Sequence, residues 1–340
     1  MFSRNNTRRK ARMGWMACTL ITVATLVLSG CGGAAKPKVY KVGILSGLSF
    51  IADLSDIFQN KMTELGYVEG KNITYDVRKM DFDMAGYKAA LADFVAADVD
   101  LILVYPTEAA QEAKAATQGT EIPVVFTFAN TEETGLVDSV TAPGGNLTGV
   151  RYPGPDLALK RFEVMMQLDP GIKRLWIPYQ RGYPIVGPQM EVLRPAAEAA
   201  GVTLIEFPAD DAAQVQAELD SRSAQEDIGF DAIMFLSEPL AVTPAPFEVI
   251  AKFAYDHKVP MGGAMMVSGG YSSIYGIVAD TTSSGVEAAL LADKILKGAK
   301  PGTIPVVSAE SYFQINVQAA ESLGVTVPES LLAQANQVTR

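Results

Sequence analysis

The sequence predicts an α/β protein of two lobes, each a parallel sheet covered by helices, joined by a hinge that the chain crosses more than once. Three observations carry this. From Tyr40 onward, apolar runs of strand length alternate with stretches of helical spacing, the rhythm of βαβ units. The same signals then recur in the same order from Arg174. A length of 340 residues also suits two domains at roughly 150 residues each.

In the first lobe, Val42 to Leu45 is a short run of buried type, and Asp53 to Leu65 carries apolar residues at helical spacing that Gly66 ends. Ile73 to Val77 alternates as a half-buried strand does. Leu101 to Tyr105 and Val124 to Phe128 are two further β-rich runs with a helix, Thr107 to Gln118, between them. Parallel strands need crossovers of this kind. In the second lobe, Arg174 to Pro178 is a strand, Gln189 to Ala200 a helix closed by Gly201, and Thr203 to Phe207 a strand. Asp231-Ala-Ile-Met-Phe-Leu236 repeats the form of Asp100-Leu-Ile-Leu-Val-Tyr105, and Val259-Pro260 repeats Ile122-Pro123. One large doubly wound sheet has the same rhythm and stays open as an alternative; the paired repeat favours two lobes. In the tail, Thr281 to Lys297 reads as a helix, Ile304 to Val307 and Tyr312 to Gln314 as strands, and Ile315 to Leu323 and Glu329 to Gln337 as helices. These pieces are expected to cross back and complete the lobes. The expected division is 39–150 with about 281–308, and 151–280 with about 309–340.

The first thirty residues read differently. Arg4, Arg8, Arg9, Lys10 and Arg12 precede an uncharged stretch from Trp15 to Leu28, and Leu28-Ser-Gly-Cys31 follows. This is the layout of a secretory signal peptide, 1–30. A membrane-spanning anchor is the alternative, but the stretch covers about 21 Å of helix against a hydrocarbon core of roughly 30 Å. The tetrapeptide resembles a bacterial lipobox, which implies a lipidated Cys31 and a tether over 31–38. Cys18 and Cys31 are the only cysteines, so the chain beyond them has no thiol for a disulfide, a metal or catalysis.

Composition excludes other classes. With 49% hydrophobic and 19% charged residues the chain is neither disordered nor a coiled coil. Loss of the signal's five basic residues takes the net charge from −10 to −15, and no basic stripe follows residue 40, so nucleic acid is not expected as a partner. The single histidine, His257, sits at a polar helix end, so no histidine triad or metal cluster is expected. Gly66-Tyr-Val-Glu-Gly-Lys71 has the wrong spacing and placement for a phosphate loop, and the first strand leads into Leu45-Ser-Gly-Leu-Ser49, not a dinucleotide fingerprint. No cofactor is expected.

What remains is a set of hydroxyl, aromatic and acidic residues at the carboxyl ends of the strands, where open α/β sheets bind ligands. In the first lobe these are Ser46, Leu48, Thr107, Glu108, Phe128 and Asn130. Thr107 is placed to cap a helix whose N-terminus can hold a carboxylate. In the second lobe they are Tyr179, Ser237, Glu238 and Gly262, with Asp280 at a hinge crossing. Tyr179 and Phe128 are placed to sandwich a planar group, and Glu238 or Asp280 to pair an ammonium. Each has a plain structural reading as well: capping, dipole complement or packing.

Several segments resemble the type I periplasmic-binding-fold lipoproteins of ABC transporters, in the group with tryptophan- and tyrosine-binding proteins. They are Gly66-Tyr-Val-Glu-Gly-Lys-Asn72, Pro106-Thr-Glu-Ala-Ala-Gln111, Ile122-Pro-Val-Val-Phe126, Pro143-Gly-Gly-Asn-Leu-Thr-Gly149, Ala292-Asp-Lys-Ile-Leu-Lys-Gly298 and Asn316 through Pro328. The resemblance spans nearly all of 40–340 and implies two Rossmann-like lobes, extracytoplasmic capture of a small polar solute, an amino acid or similar, and delivery to a permease and its ATPase by a monomer without chemistry on the solute. Tyr105, Gln180-Arg181 and Ser237-Glu238-Pro239 depart from the group's usual residues at the strand ends, so the fold carries over and the ligand does not. A sugar or nucleoside receptor, or a sensor feeding a signalling partner, stays open. A secreted α/β enzyme finds no His, Cys or metal cluster to support it.

Overall fold

The computed structural model describes residues 38–340, so Cys31 and the signal segment lie outside the described residues. Strand β1 (Tyr40–Ser46) leads to helix α1 (Leu54–Glu64), β2 (Ile73–Lys79), α2 (Met84–Ala96), β3 (Leu101–Tyr105), α3 (Thr107–Ala116), β4 (Val124–Ala129) and β5 (Leu147–Arg151). The chain then crosses into the second lobe. There follow α4 (Gly154–Leu168), β6 (Arg174–Gln180), α5 (Val186–Ala200), β7 (Thr203–Ala209), α6 (Ala212–Ser223), β8 (Ala232–Met234), α7 (Pro239–Val242), α8 (Pro244–His257), β9 (Met261–Gly262), the small pair β10 (Val267–Ser268) and β11 (Tyr271–Ser272), and β12 (Tyr275–Ala279). The tail supplies α9 (Thr281–Leu296), β13 (Val307–Ser308), β14 (Ser311–Asn316), α10 (Val317–Ser322), α11 (Glu329–Leu332) and β15 (Gln337–Thr339).

The first lobe is a parallel sheet in the order β13-β5-β4-β3-β1-β2. Central β3 is buried along its whole length, as its unbroken Leu-Ile-Leu-Val-Tyr run requires of a strand covered on both faces. Helix α1 buries Leu54, Phe58 and Met62 at four-residue spacing, and α9 returns from the far end of the chain to pack on it. That contact is close: a Cβ on Gly285 would lie 2.8 Å from Ile57 Cγ2. The Tyr67 hydroxyl seals it by donating to Asp293 at 3.0 Å.

The second lobe has a parallel sheet in the order β7-β6-β8-β9 and beside it a mixed sheet β12-β14-β15. Its core centres on Trp176, stacked between Phe207 and Phe230 with centroids 5.6 and 5.3 Å away. Three chain segments pass between the lobes side by side: Ala309 N–H donates to Arg151 O, Arg151 Nε to Ser308 Oγ, and Asp280 N–H to Glu310 O. They form the multi-crossing hinge.

The tail differs from expectation in three places. The helix expected over Glu329 to Gln337 stops at Leu332, because Asn336 exchanges hydrogen bonds with the Phe313 backbone and Gln337–Thr339 then pairs with β14. Ile315 and Asn316 belong to β14 and not to the following helix, which Asn316 caps through Ala319 N–H. Of the strand expected over Ile304 to Val307, only Val307 pairs, since Pro305 has no N–H for a ladder. Helix α5 starts at Val186, ahead of Gln189, because Pro188 lies in a first turn where no N–H is needed.

Candidate functional site

The carboxyl ends of the two parallel sheets face one another beside the hinge, and one side-chain bond spans the gap. Tyr183, in the loop after β6, donates its hydroxyl to Glu108 Oε1 on the first turn of α3 at 2.6 Å. Burial first, and then the charge of Glu108, hold the Tyr183 phenol well above its ordinary value.

In the first lobe, Ser46 ends β1 beside Tyr105 in the register, and both hydroxyls are buried without a well-formed hydrogen bond. Burial raises the Tyr105 phenol, with the nearby Ser46 and Ser55 hydroxyls acting in the opposite sense. Leu48 packs into the core of this lobe. The structure corrects the capping role of Thr107: Pro106 holds the cap position with no side-chain cap, and Thr107 is the first helical residue. Its buried hydroxyl instead accepts the Asn130 N–H at 3.0 Å and, more weakly, the Asn130 amide at 3.4 Å, so it ties the end of β4 to α3. Phe128 sits on a bulge of β4 with φ of 49°, unusual for an aromatic residue, and its ring lies 6.0 Å from that of Tyr152 at the hinge. The bulge turns this ring to where the cores of both lobes meet.

In the second lobe, Ser237 Oγ accepts from Arg161 Nη2 at 2.7 Å. Both acids expected to pair an ammonium serve as helix caps, Glu238 wholly and Asp280 through one oxygen. Glu238 is 2% exposed and caps α7, accepting N–H groups from Gln180, Leu240 and Ala241. Burial pushes it up to about 7 against the pull of those bonds. Asp280 caps α9 through Thr282 N–H. The Tyr179 hydroxyl is committed to Glu206 at 3.0 Å, which also pairs with Arg194, and the ring facing Phe128 at close range is that of Tyr152. Gly262 is glycine for packing: a Cβ there would stand 2.2 Å from Tyr275 Cε1.

Two residues of this region escaped the sequence reading. Tyr183 follows Gly182, whose φ of 69° turns the loop toward the first lobe. Arg161 is 0% exposed, and its guanidinium meets only neutral acceptors: the Tyr152 and Ser237 hydroxyls and Ile277 O at 2.7 Å, with Gln189 Oε1 at 3.4 Å. No Asp or Glu pairs with it among the described residues. A buried charge without a counter-ion is costly, so this is an electropositive point held by the fold. The signal was present in the sequence, since Leu157, Ala158, Arg161, Phe162 and Met165 fall on one helical face.

Among the described residues no group of three or more His, Cys, Asp or Glu side chains is placed to hold a metal ion. His257 ends α8 and packs against Phe253. A surface depression of about 710 Å³ lies toward the other end of α3, around Lys114, Thr117 and Asn146, away from the interlobe cleft.

Comparison with known proteins agrees with a two-lobed receptor. The family model described as ABC transporter substrate binding protein matches residues 42–339. The chain belongs to this family. As a substrate-binding protein it takes a small-molecule ligand and works with a transporter, and such proteins act outside the cytoplasm. It is 28% identical over 257 residues to a tyrosine-binding protein of Clostridioides difficile, covering 74% of this chain and 71% of the relative. Among solved structures, a conserved domain protein from Vibrio cholerae superposes with a TM-score of 0.74 at 28% identity, covering 89% of this chain and all of that one. A Streptococcus pneumoniae ABC domain in complex with L-Trp gives 0.74 at 26% identity, covering 88% of this chain and all of that one. The shared fold is the type I periplasmic binding protein: mixed α/β with parallel sheets in two lobes.

Proposed function

We propose that this substrate-binding protein captures an amino acid, or a solute closely like one, between its lobes and delivers it to an ABC permease and its ATPase, without acting on it chemically. The observation that carries this reading is that, among the described residues, each lobe holds a charge without a counter-ion near the cleft, of opposite sign in the two lobes. Arg161 supplies a guanidinium without a counter-ion behind the Tyr152 and Ser237 hydroxyls, and Glu108 supplies a carboxylate from the facing lobe. Phe128 and Tyr152 add aromatic surface beside them. A zwitterion with an apolar side chain complements all three. The relative named for tyrosine and the neighbour solved with L-Trp support the same class.

In this reading the lobes comprise 39–150 with about 281–308, and 151–280 with about 309–340, and they close about the hinge as a monomer. Cys31 carries the lipid that holds the protein at the membrane, and the net negative charge keeps the lobes off an anionic surface. Thermal shift against amino acids, sugars and nucleosides tests the ligand class. A ligand at a hundredfold excess over Kd stabilises the folded state by about 2.7 kcal/mol. Stabilisation by amino acids is expected; stabilisation by sugars or nucleosides alone would keep the receptor and discard the zwitterion site. Cys31→Ala is expected to release the protein from the membrane fraction, and full retention would discard the anchor.

A further inference from the structure

We propose that Glu108 receives the cationic nitrogen of the solute, and that Tyr183 holds its place across the cleft until the solute arrives. This rests on the reading of the cleft as the solute site and relocates its acid. Of the acids expected to meet the solute, Glu238 is buried under three backbone N–H groups, and Asp280 has one oxygen on the Thr282 N–H at the start of α9, whereas Glu108 reaches across to the facing lobe. Among the described residues the Glu108 carboxylate accepts one hydrogen bond, from Tyr183, and makes no ion pair. Lys88, on α2, reaches Glu112 one turn further along α3 instead.

The surroundings of Tyr183 are acidic. Besides Glu108, the charge of Glu238 also raises its phenol, and no basic side chain acts on it in the opposite sense. A neutral hydroxyl therefore occupies a position where a cation is favoured. The Tyr183 bond has one charged partner, whereas an ammonium gives Glu108 an ion pair with charge on both sides. Tyr183 sits in a short loop between β6 and α5, where Gly182 takes up the turn, and its half-buried ring packs on the edge of the second-lobe core, so its hydroxyl can leave Glu108 by a shift of the loop end without unfolding an element. The Tyr183 bond also joins the lobes, so the unliganded protein has a closing contact of its own, and the solute takes over that contact when it binds.

The test compares L-tyrosine with 3-(4-hydroxyphenyl)propionate, which lacks only the amine, and L-tryptophan with indole-3-propionate, by calorimetry. It uses the protein and its Glu108→Gln and Tyr183→Phe variants. The unmodified protein is expected to prefer the amine-bearing member by about 30-fold, and Glu108→Gln to keep less than about threefold of that preference. Tyr183→Phe is expected to keep the preference and to bind the amino acid about threefold tighter, because no hydroxyl competes for Glu108. An unchanged preference in Glu108→Gln overturns the proposal alone, as does a loss in Tyr183→Phe equal to that in Glu108→Gln. If no amino acid stabilises the unmodified protein in the thermal-shift survey, the amino-acid reading falls and this proposal with it; if another amino acid does, it and its deaminated analogue replace these pairs. The latch is measured without ligand: spin labels at Thr63→Cys and Gln216→Cys, with Cys18 and Cys31 changed to Ser, are expected to show a longer-distance population in Tyr183→Phe. Identical distance distributions with and without the hydroxyl would overturn it.

Discussion

Arg161 donates to the Tyr152 hydroxyl at 2.7 Å, which fastens the first helix of the second lobe to the residue where the chain leaves the first. The same nitrogen reaches Ser237 and Ile277, so one guanidinium organises the hinge side of the cleft. Arg161→Met preserves bulk and strands these acceptors. It is expected to lower stability by about 3 kcal/mol in urea unfolding, with Arg161→Lys intermediate because an ammonium lacks the fork. Unchanged unfolding midpoints in both variants would remove Arg161 from this role.

Glu238 predicts a pH dependence of unusual sign for a carboxyl. Its folded-state value of about 7 lies above the ordinary 4.5, so the folded protein holds a proton that the unfolded chain releases between these values. Its stabilising contribution is full below about pH 4.5 and disappears as the pH rises through about 7. Relative to Glu238→Gln, the unmodified protein should lose on the order of 3 kcal/mol between pH 4.5 and 8. Parallel stability curves for the two proteins would show that the three N–H groups outweigh burial.

Thr107→Val keeps the shape of the side chain and removes the acceptor for both Asn130 bonds. A loss of about 1–2 kcal/mol is expected, with weaker solute binding, and Thr107→Ser should restore both. If Ser and Val behave alike, the hydroxyl does not tie β4 to α3.

Gly262→Ala tests the packing account of a residue expected at first to meet the ligand. The added methyl collides with the Tyr275 ring, whose hydroxyl is bonded to Arg161 O at 2.6 Å. Destabilisation of about 1–3 kcal/mol should appear as a lower melting temperature. An unchanged melting temperature together with lost solute binding would return Gly262 to the ligand site.

Much of the fold is legible because its central strands are unbroken apolar runs and Gly66 and Gly201 mark the ends of α1 and α5. Leu101 to Tyr105 has no other comfortable home than the middle of a covered sheet. Helix α4 is harder to see, since its start reads Pro153-Gly154-Pro155, a turn signal that tertiary packing overrides. β15 is hidden for the opposite reason: its pairing with β14 is set by Asn336 and Phe313, side by side only once the second lobe has formed. The candidate site divides along the same line. Ser46, Thr107 and Asn130 follow strand ends and can be found by position, whereas Glu108 and Tyr183 stand 75 residues apart on different lobes and no local pattern joins them.

The return of α9 and β13 to the first lobe sets an order on its making. The sheet edge at β5 waits for Val307 and Ser308, and the face of α1 waits for Gly285, Ala288 and Ala292, all from the last fifth of the chain. A ribosome has therefore made the whole parallel sheet of the second lobe before the first lobe can close its core. Contacts of such sequence separation are slow to form. The half that emerges first is thus the half whose core is completed last, by residues from near the end of the chain.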